Sequence, residues 1–196
     1  MRVATFHLFG LVVGVLFAMF AIYLVLMFNA LVSVRNNVAR AWANIDVLLK
    51  RRHDEIPRLV EVCRQYKQFE QETLVRVAQA RQQVAAAREA MNMAALGPAE
   101  AALRAGTARV FALAEGYPAL KANDNFMQLQ QRITGLENAI ADRREFYNDS
   151  VNVNNTRVAQ FPEVLLARLF GFREARLLHF DSHERAPVDL KSLLAT

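Results

Sequence analysis

Seven glycines, five prolines and one cysteine in 196 residues leave little material for tight turns. A chain so poor in turn formers is not a meander of short strands. No run shows the apolar–polar alternation of a half-buried strand between turn residues either. Cys63 stands alone, so an internal disulfide framework is excluded, although this does not fix the compartment. There is no Gly-rich phosphate loop, no GxSxG and no HExxH. Charge is missing over one long stretch: between Arg2 and Arg35 there is no charged side chain except the titratable His7. What is plentiful is Ala, Leu, Arg, Gln and Glu, the residues of long helices with short connections. The expected fold class is all-α.

The uncharged stretch is FGLVVGVLFAMFAIYLVLMF, Phe9 to Phe28. About 20 apolar residues cross the hydrocarbon layer as a helix, so this run is long enough to span. A cleavable signal peptide has a shorter apolar region of about 7–15 residues and a small-residue cleavage site. Here Leu31, Val32 and Val34 continue the run past Asn29. The expectation is an uncleaved, single-pass anchor. Arg35, Arg40, Lys50, Arg51 and Arg52 follow it, against Arg2 and the amino terminus before it. The positive-inside bias then puts the short N-terminus outside and the bulk of the chain in the cytoplasm. The net charge of +5 needs no nucleic acid, because cations are mixed with acids along every helix and not gathered on one stripe.

Beyond the span, Val34, Val38, Ala41, Ile45 and Leu48 form one helical stripe running straight out of the apolar segment. Pro57 is expected to kink or restart this helix near Glu55, with Asp54 as the new N-cap. Leu59, Cys63 and Tyr66 continue the pattern, and Leu74, Val77 and Val84 mark an alanine-rich helix ending around Met93. LGPAE, Leu96 to Glu100, reads as the clearest turn, with Gly97 as a C-terminal cap and Pro98 in a new first turn. Leu103, Val110, Leu113 and Tyr117 predict a further helix stopped by Pro118, and KANDN, Lys121 to Asn125, supplies the next cap.

The last long helix has the strongest period: Phe126, Leu129, Ile133, Leu136, Ile140, Tyr147, Val151, Val158 and Phe161, with Arg143 on the same seam and Pro162 as the stop. Such spacing is that of a bundle or coiled coil. The architecture expected is an anchor over residues 1–34, an antiparallel bundle of about four long helices over 35–172, and a loose tail over 173–196.

Tests for chemistry return nothing persuasive. His53, Asp54 and Glu55 read as a solvated face beside a membrane rather than an acid–base cluster. His179, Asp181, His183 and Glu184 sit in a polar tail with no second cluster to complete a metal shell. Cys63 lies on an apolar stripe and reads as a small buried hydrophobe. The expectation is no catalytic residue, no cofactor and no metal.

Two features exceed that background. Arg143 and the crowd of Asn148, Asn152, Asn154 and Asn155 load the end of the last helix with polar groups. They are read either as buried polar groups that set helix register or as a partner surface. The second feature is FPEVLLARLFGF, Phe161 to Phe172, which suits a short helix closing the bundle, or one at a lipid interface.

Three stretches carry a resemblance: VRNNVARAWANIDVLLKRRHDEIPRLVE, EGYPALKANDNFMQLQ and LENAIADRREFYNDSVNVNNTRVAQFP. In this order they resemble the LemA family of bacterial membrane proteins, from about Asn29 to Phe180. The resemblance implies one N-terminal transmembrane helix and a cytoplasmic helical bundle, and it brings no established activity, cofactor or catalytic residue. Polar positions favoured by the family correspond here to Arg35, Asp46, Arg52, Glu70, Arg81, Glu115, Lys121, Asn123, Glu137, Arg143, Asn148 and Asn155, among others. His53, Glu55 and Arg58 depart from the pattern, as do Leu48 and Asn154.

The functional expectation is a non-enzymatic scaffold or adaptor in the bacterial inner membrane. Its partners would be the bilayer, an unidentified protein and possible further copies of itself, with no nucleic acid. The alternatives are a lipid-surface protein that shapes or senses the bilayer, and an accessory to a membrane or envelope enzyme.

Overall fold

The chain is described from a computed structural model, which covers residues 2–66 and 69–179. Among these there is no strand, and six helices follow in order: α1 Arg2–Arg64, α2 Gln71–Glu89, α3 Met93–Ala114, α4 Pro118–Lys121, α5 Asp124–Ala159 and α6 Glu163–Phe170. The all-α class and the bundle of four long helices expected from the periodicity are what is observed. The chain divides into two compact units, Met1–Ala41 with Asp149–Ala175, and Trp42–Asn148 with Arg176–Thr196. Residues 180–196, most of the expected tail, lie outside the described residues.

In the first unit, α1 runs through the apolar stretch as an isolated helix with almost no burial, long and apolar enough to cross a membrane. Its later turns acquire neighbours. Leu31, Ala167 and Phe172 form a small core, with Phe28, Val32, Val158 and Leu166 packed against it. Phe28 meets Phe170 and Phe172 edge-on at ring separations of 4.9 and 5.8 Å, a geometry aromatic quadrupoles favour.

In the second unit, side-chain ties set the direction of each helix. Asp46 and His53 of α1 meet Arg88 and Arg81 of α2, so the two run antiparallel. Thr73 meets Arg109, and Val77 lies against Gly106, so α2 and α3 are antiparallel too. Thr107 and Phe111 of α3 face Glu137 and Phe126 of α5, and Trp42 and Glu55 of α1 face Tyr147 and Arg132. Four antiparallel neighbours in a ring make an up-down-up-down bundle. Its centre is apolar, with Ile45, Leu49, Ile56, Leu59, Val77, Leu96, Leu103, Val110 and Ile133 all buried. A Cβ on Gly106 would come within 2.9 Å of Val77, so this glycine sets how closely α2 and α3 approach.

Two of the proline expectations need correction. Pro57 lies inside an uninterrupted α1, not at a restart. The carbonyl it leaves without a helical donor is that of His53, four residues back. Arg81 Nε of α2 donates to that carbonyl at 2.9 Å, replacing the missing bond. Gly97 and Pro98 likewise lie inside α3. The carbonyl that Pro98 deprives is that of Ala94, an exposed residue in the first turn of the helix, on the side open to solvent.

The turn itself is Ala90–Asn92, where Met91 takes a left-handed conformation at φ 48° and the Asn92 side chain caps α3 by accepting from the Ala95 amide at 3.2 Å. No glycine marks it, which is why the pattern pointed to LGPAE instead. Gly97 serves close approach: a Cβ there would lie 1.9 Å from the backbone oxygen of His179. Asn123 does cap α5, as KANDN suggested, accepting from the amides of Asn125 and Phe126 at 3.0 and 3.1 Å.

Candidate functional site

The asparagine crowd on α5 has a definite target. Past α6 the chain continues without regular structure from Phe172 to His179, and asparagine side chains hold its backbone. In the first unit, the Asn155 side-chain oxygen accepts from the Ala175 amide at 2.8 Å while its nitrogen donates to the Ala175 carbonyl at 3.0 Å. Asn154 is buried and donates to the Arg173 carbonyl at 3.3 Å. In the second unit, Asn148 repeats the device on Leu178, accepting from its amide at 2.9 Å and donating to its carbonyl at 3.1 Å. Tyr147 adds a bond from its hydroxyl to the Arg176 carbonyl at 2.9 Å, and burial pushes its phenol pKa up.

A primary amide carries a donor and an acceptor side by side, so it can close a two-bond ring with one backbone residue as a neighbouring strand would. These asparagines therefore neither set register between helices nor stand free for a partner. They tie an extended segment of the same chain to α5. Asn148 and Asn155 were legible as exceptional; their target was not. Asn152 is exposed and joins neither arrangement. Arg143 is exposed as well, and so off the seam. The inward-turning positions around it are Ile140, Arg144 and Tyr147, reached by a step of four and then one of three, whereas Arg143 is where a step of three from Ile140 would fall.

The second unit contains a buried ion pair that the sequence did not disclose. Arg52 Nη2 meets Glu100 Oε2, and both side chains are 2% exposed. Burial pushes the Glu100 carboxyl pKa up and the charge of Glu137 adds to this, while Arg52 pulls it back down. Arg52 Nε and Glu100 Oε1 have no hydrogen-bond partner. Of the KRR cations, only Lys50 and Arg51 are on the surface. A signal for Glu100 did exist: a carboxylate three residues before Leu103 on an apolar stripe is costly unless paired.

His53 is half-buried, and burial together with the Arg81 guanidinium lowers its pKa below the ordinary 6.5. Its Nδ1 has no partner, and Asp54 beside it is exposed. Glu55 faces Arg58 and Arg132 at 3.5 and 3.4 Å, on a shallow groove of about 550 Å³ that Arg51, Asp54 and Leu136 also line. Glu55 pairs with both Arg58 and Arg132, and no nucleophile lies among the lining residues. Cys63 is fully buried, and desolvation raises its thiol to about 12, far from a reactive thiolate. Among the described residues, no group of three or more His, Cys, Asp or Glu side chains gathers as a metal site. His179 is described and exposed, whereas Asp181, His183 and Glu184 lie outside the described residues.

Phe9 is exposed on the apolar part of α1, and Phe28 is half-buried under α6. The stretch Phe161–Phe172 forms α6 between Pro162 and a left-handed Gly171 at φ 71°, and only one face of it is covered.

The LemA family matches residues 41–191 of this chain. Shorter similarity extends to magnetosome proteins. MamQ of Magnetospirillum gryphiswaldense is 28% identical over 71 residues, 36% of this chain and 26% of the relative. MamQ 1 and MamQ 2 of Paramagnetospirillum magneticum are each 31% identical over 67 residues, 34% of this chain and 25% of theirs. The chain therefore aligns with only about a quarter of each of these relatives' length. With the family match covering well over half its residues, the chain belongs to the LemA family.

Proposed function

We propose that this LemA-family protein is a single-pass membrane scaffold without enzymatic activity, with its bundle in the cytoplasm. The observation that carries the reading is the unbroken α1. One helix is apolar over Phe9–Phe28 and largely uncovered as far as Leu26, and the same helix supplies the buried Ile45, Leu49, Ile56 and Leu59 of a bundle. A helix that is at once a span and a core element carries a protein surface to a bilayer. The internal pairing of the polar groups supports a structural rather than catalytic role. The partial likeness to magnetosome proteins is in keeping with it.

Lys50 and Arg51, exposed on the C-terminal side, still favour a cytoplasmic bundle after Arg52 is withdrawn from that count. The partner is then a cytosolic or inner-leaflet protein, or a second copy. Reporter fusions after Thr196 and after Met91, one reporter active only in the cytoplasm and one only outside, test the topology. Cytoplasmic activity at both points is the expected result, and activity outside reverses the orientation. Crosslinking in membranes tests the scaffold: a reproducible partner or homo-oligomer is expected, and a strictly monomeric, partnerless chain sinks it.

A further inference from the structure

We propose that α6 lies in the headgroup region of the same bilayer, with Phe161, Leu165, Leu169 and Phe170 turned toward the acyl chains. The proposal deepens the anchored reading and rests on it.

Position along α1 is the first argument. α6 packs on Phe28, Leu31 and Val32. Phe28 closes the apolar run, and at about 1.5 Å of rise per residue Val32 is only about 6 Å farther along the helix. A run of twenty residues matches a hydrocarbon layer of about 30 Å, so a segment fastened at its end sits at the layer's boundary. The contact itself is well defined, with Ala167 buried, Phe172 nearly so and the Phe28–Phe170 ring contact at 4.9 Å.

Polarity is the second. The covered face is made by Leu166, Ala167 and Phe172. The other face leaves Phe161 77%, Leu165 61%, Leu169 75% and Phe170 56% exposed. Leu165 and Leu169 are four residues apart on α6 and so share a side, and Phe161 is exposed just before the helix. Four large apolar side chains together present on the order of a few hundred Å², the size at which a surface patch marks an interaction site.

Charge is the third. Glu163, the one carboxylate of α6, is turned inward, buried, and held by Arg157 at 2.9 Å. Exposed charge near the patch includes Arg168 in the last turn and Arg35, whose guanidinium carbon lies 5.4 Å from the centre of the Phe172 ring. A helix with leucines and phenylalanines outward, its acid hidden and arginines at its margin has the composition of an interfacial helix. The long arginine stems let the charged heads reach phosphates while their carbons stay on apolar surface. A bilayer is the occupant already present at that depth.

The test uses the full chain with Cys63→Ala, carrying either Leu169→Cys or Phe17→Cys, each labelled with an environment-sensitive fluorophore. The protein is reconstituted into vesicles of phosphatidylcholine with a minor share of phosphatidylglycerol, containing lipids spin-labelled shallow or deep in the acyl chain. The expected result is loss of Leu169-site fluorescence with the shallow quencher more than the deep one, and the reverse order at the Phe17 site. If the Phe17 site is quenched and the Leu169 site is not, the anchor stands and the interfacial helix is overturned. If neither is quenched, the anchor fails and the proposal falls with it. A Leu169 site shielded from water, untouched by lipid quenchers and dependent on protein density would assign the patch to a second copy, which also overturns the proposal.

Discussion

The two units of this protein distribute polarity in opposite ways. The first leaves phenylalanine, leucine and valine uncovered along α1 and on α6, and its smaller buried set centres on Leu31, Val151, Ala167 and Phe172, with Asn154 and Glu163 as its buried polar groups. The second covers its leucines and isoleucines, and buries an arginine and a glutamate among them. Large exposed apolar side chains are tolerable where the surroundings are apolar, and a buried ion pair only where its own partner replaces water. The contrast is what two units suited to different solvents would show, although two continuous helices, α1 and α5, contribute to both.

The most severe way to break this contrast is to strand a charge in the second unit. Arg52→Ala or Glu100→Ala leaves the other group buried without its partner and should cost about 3–5 kcal/mol. The joint change Arg52→Met with Glu100→Leu should come out close to neutral, since it removes both desolvation costs. Denaturant unfolding of the full chain in detergent, followed by circular dichroism, measures both. A loss under about 1 kcal/mol for either single variant would show that water reaches the pair.

Next in size is the anchored segment, which the two units hold in the same manner. Asn155→Ala and Asn148→Ala each leave a backbone amide and carbonyl without their partners and should cost about 1–3 kcal/mol. Hydrogen exchange should quicken at Ala175 in the first variant and at Leu178 in the second. Asn152→Ala and Arg143→Ala, both on exposed positions, should stay within about 0.5 kcal/mol. Equal losses at all four positions would contradict the assignment.

Smaller effects come from two residues in the left-handed region. Gly171→Ala, at φ 71°, should destabilise by about 1 kcal/mol, whereas Met91→Gly, at φ 48°, should gain about 0.5–1 kcal/mol. Thermal unfolding of the two variants should therefore move in opposite directions.

The smallest expected effect is the pH response of His53. Its folded pKa lies below the ordinary 6.5, so on acidification the unfolded chain takes up the proton first. Its contribution to stability is complete above 6.5 and is lost as pH falls through the lower folded value. A His53→Gln variant should lack that shallow acid-side decline, and an identical pH profile would show that His53 is not its source.

Much of this organisation was legible along the chain. The apolar run, the stripes of α1, α2 and α5, and the Asn123 cap all follow from local spacing, because each depends on residues within a few turns. The misread features share a different cause. Pro57 could stay inside α1 because Arg81, on another helix, donates to the orphaned His53 carbonyl. The α2–α3 turn was hidden because Met91 occupies a conformation that glycine usually marks, while Gly97 was needed for the nearby His179 carbonyl. Arg143 looked like a seam residue because a slip of one position is invisible to periodicity alone.

By itself, the sequence determined the helical class, the apolar segment long enough to span and most of the buried stripe positions, though Leu49 and not Leu48 is the buried leucine of α1 and Phe161 is exposed. These rest on intrinsic helix preference and on the 3.6-residue period, which need no knowledge of distant neighbours. Only the tertiary structure decided that Arg52 would be buried against Glu100, that paired asparagine amides would hold residues 173–178, and that α6 would pack beside Phe28 with its other face open. Each of those depends on groups far apart in the chain, where hydrogen-bond geometry and desolvation decide which partners meet.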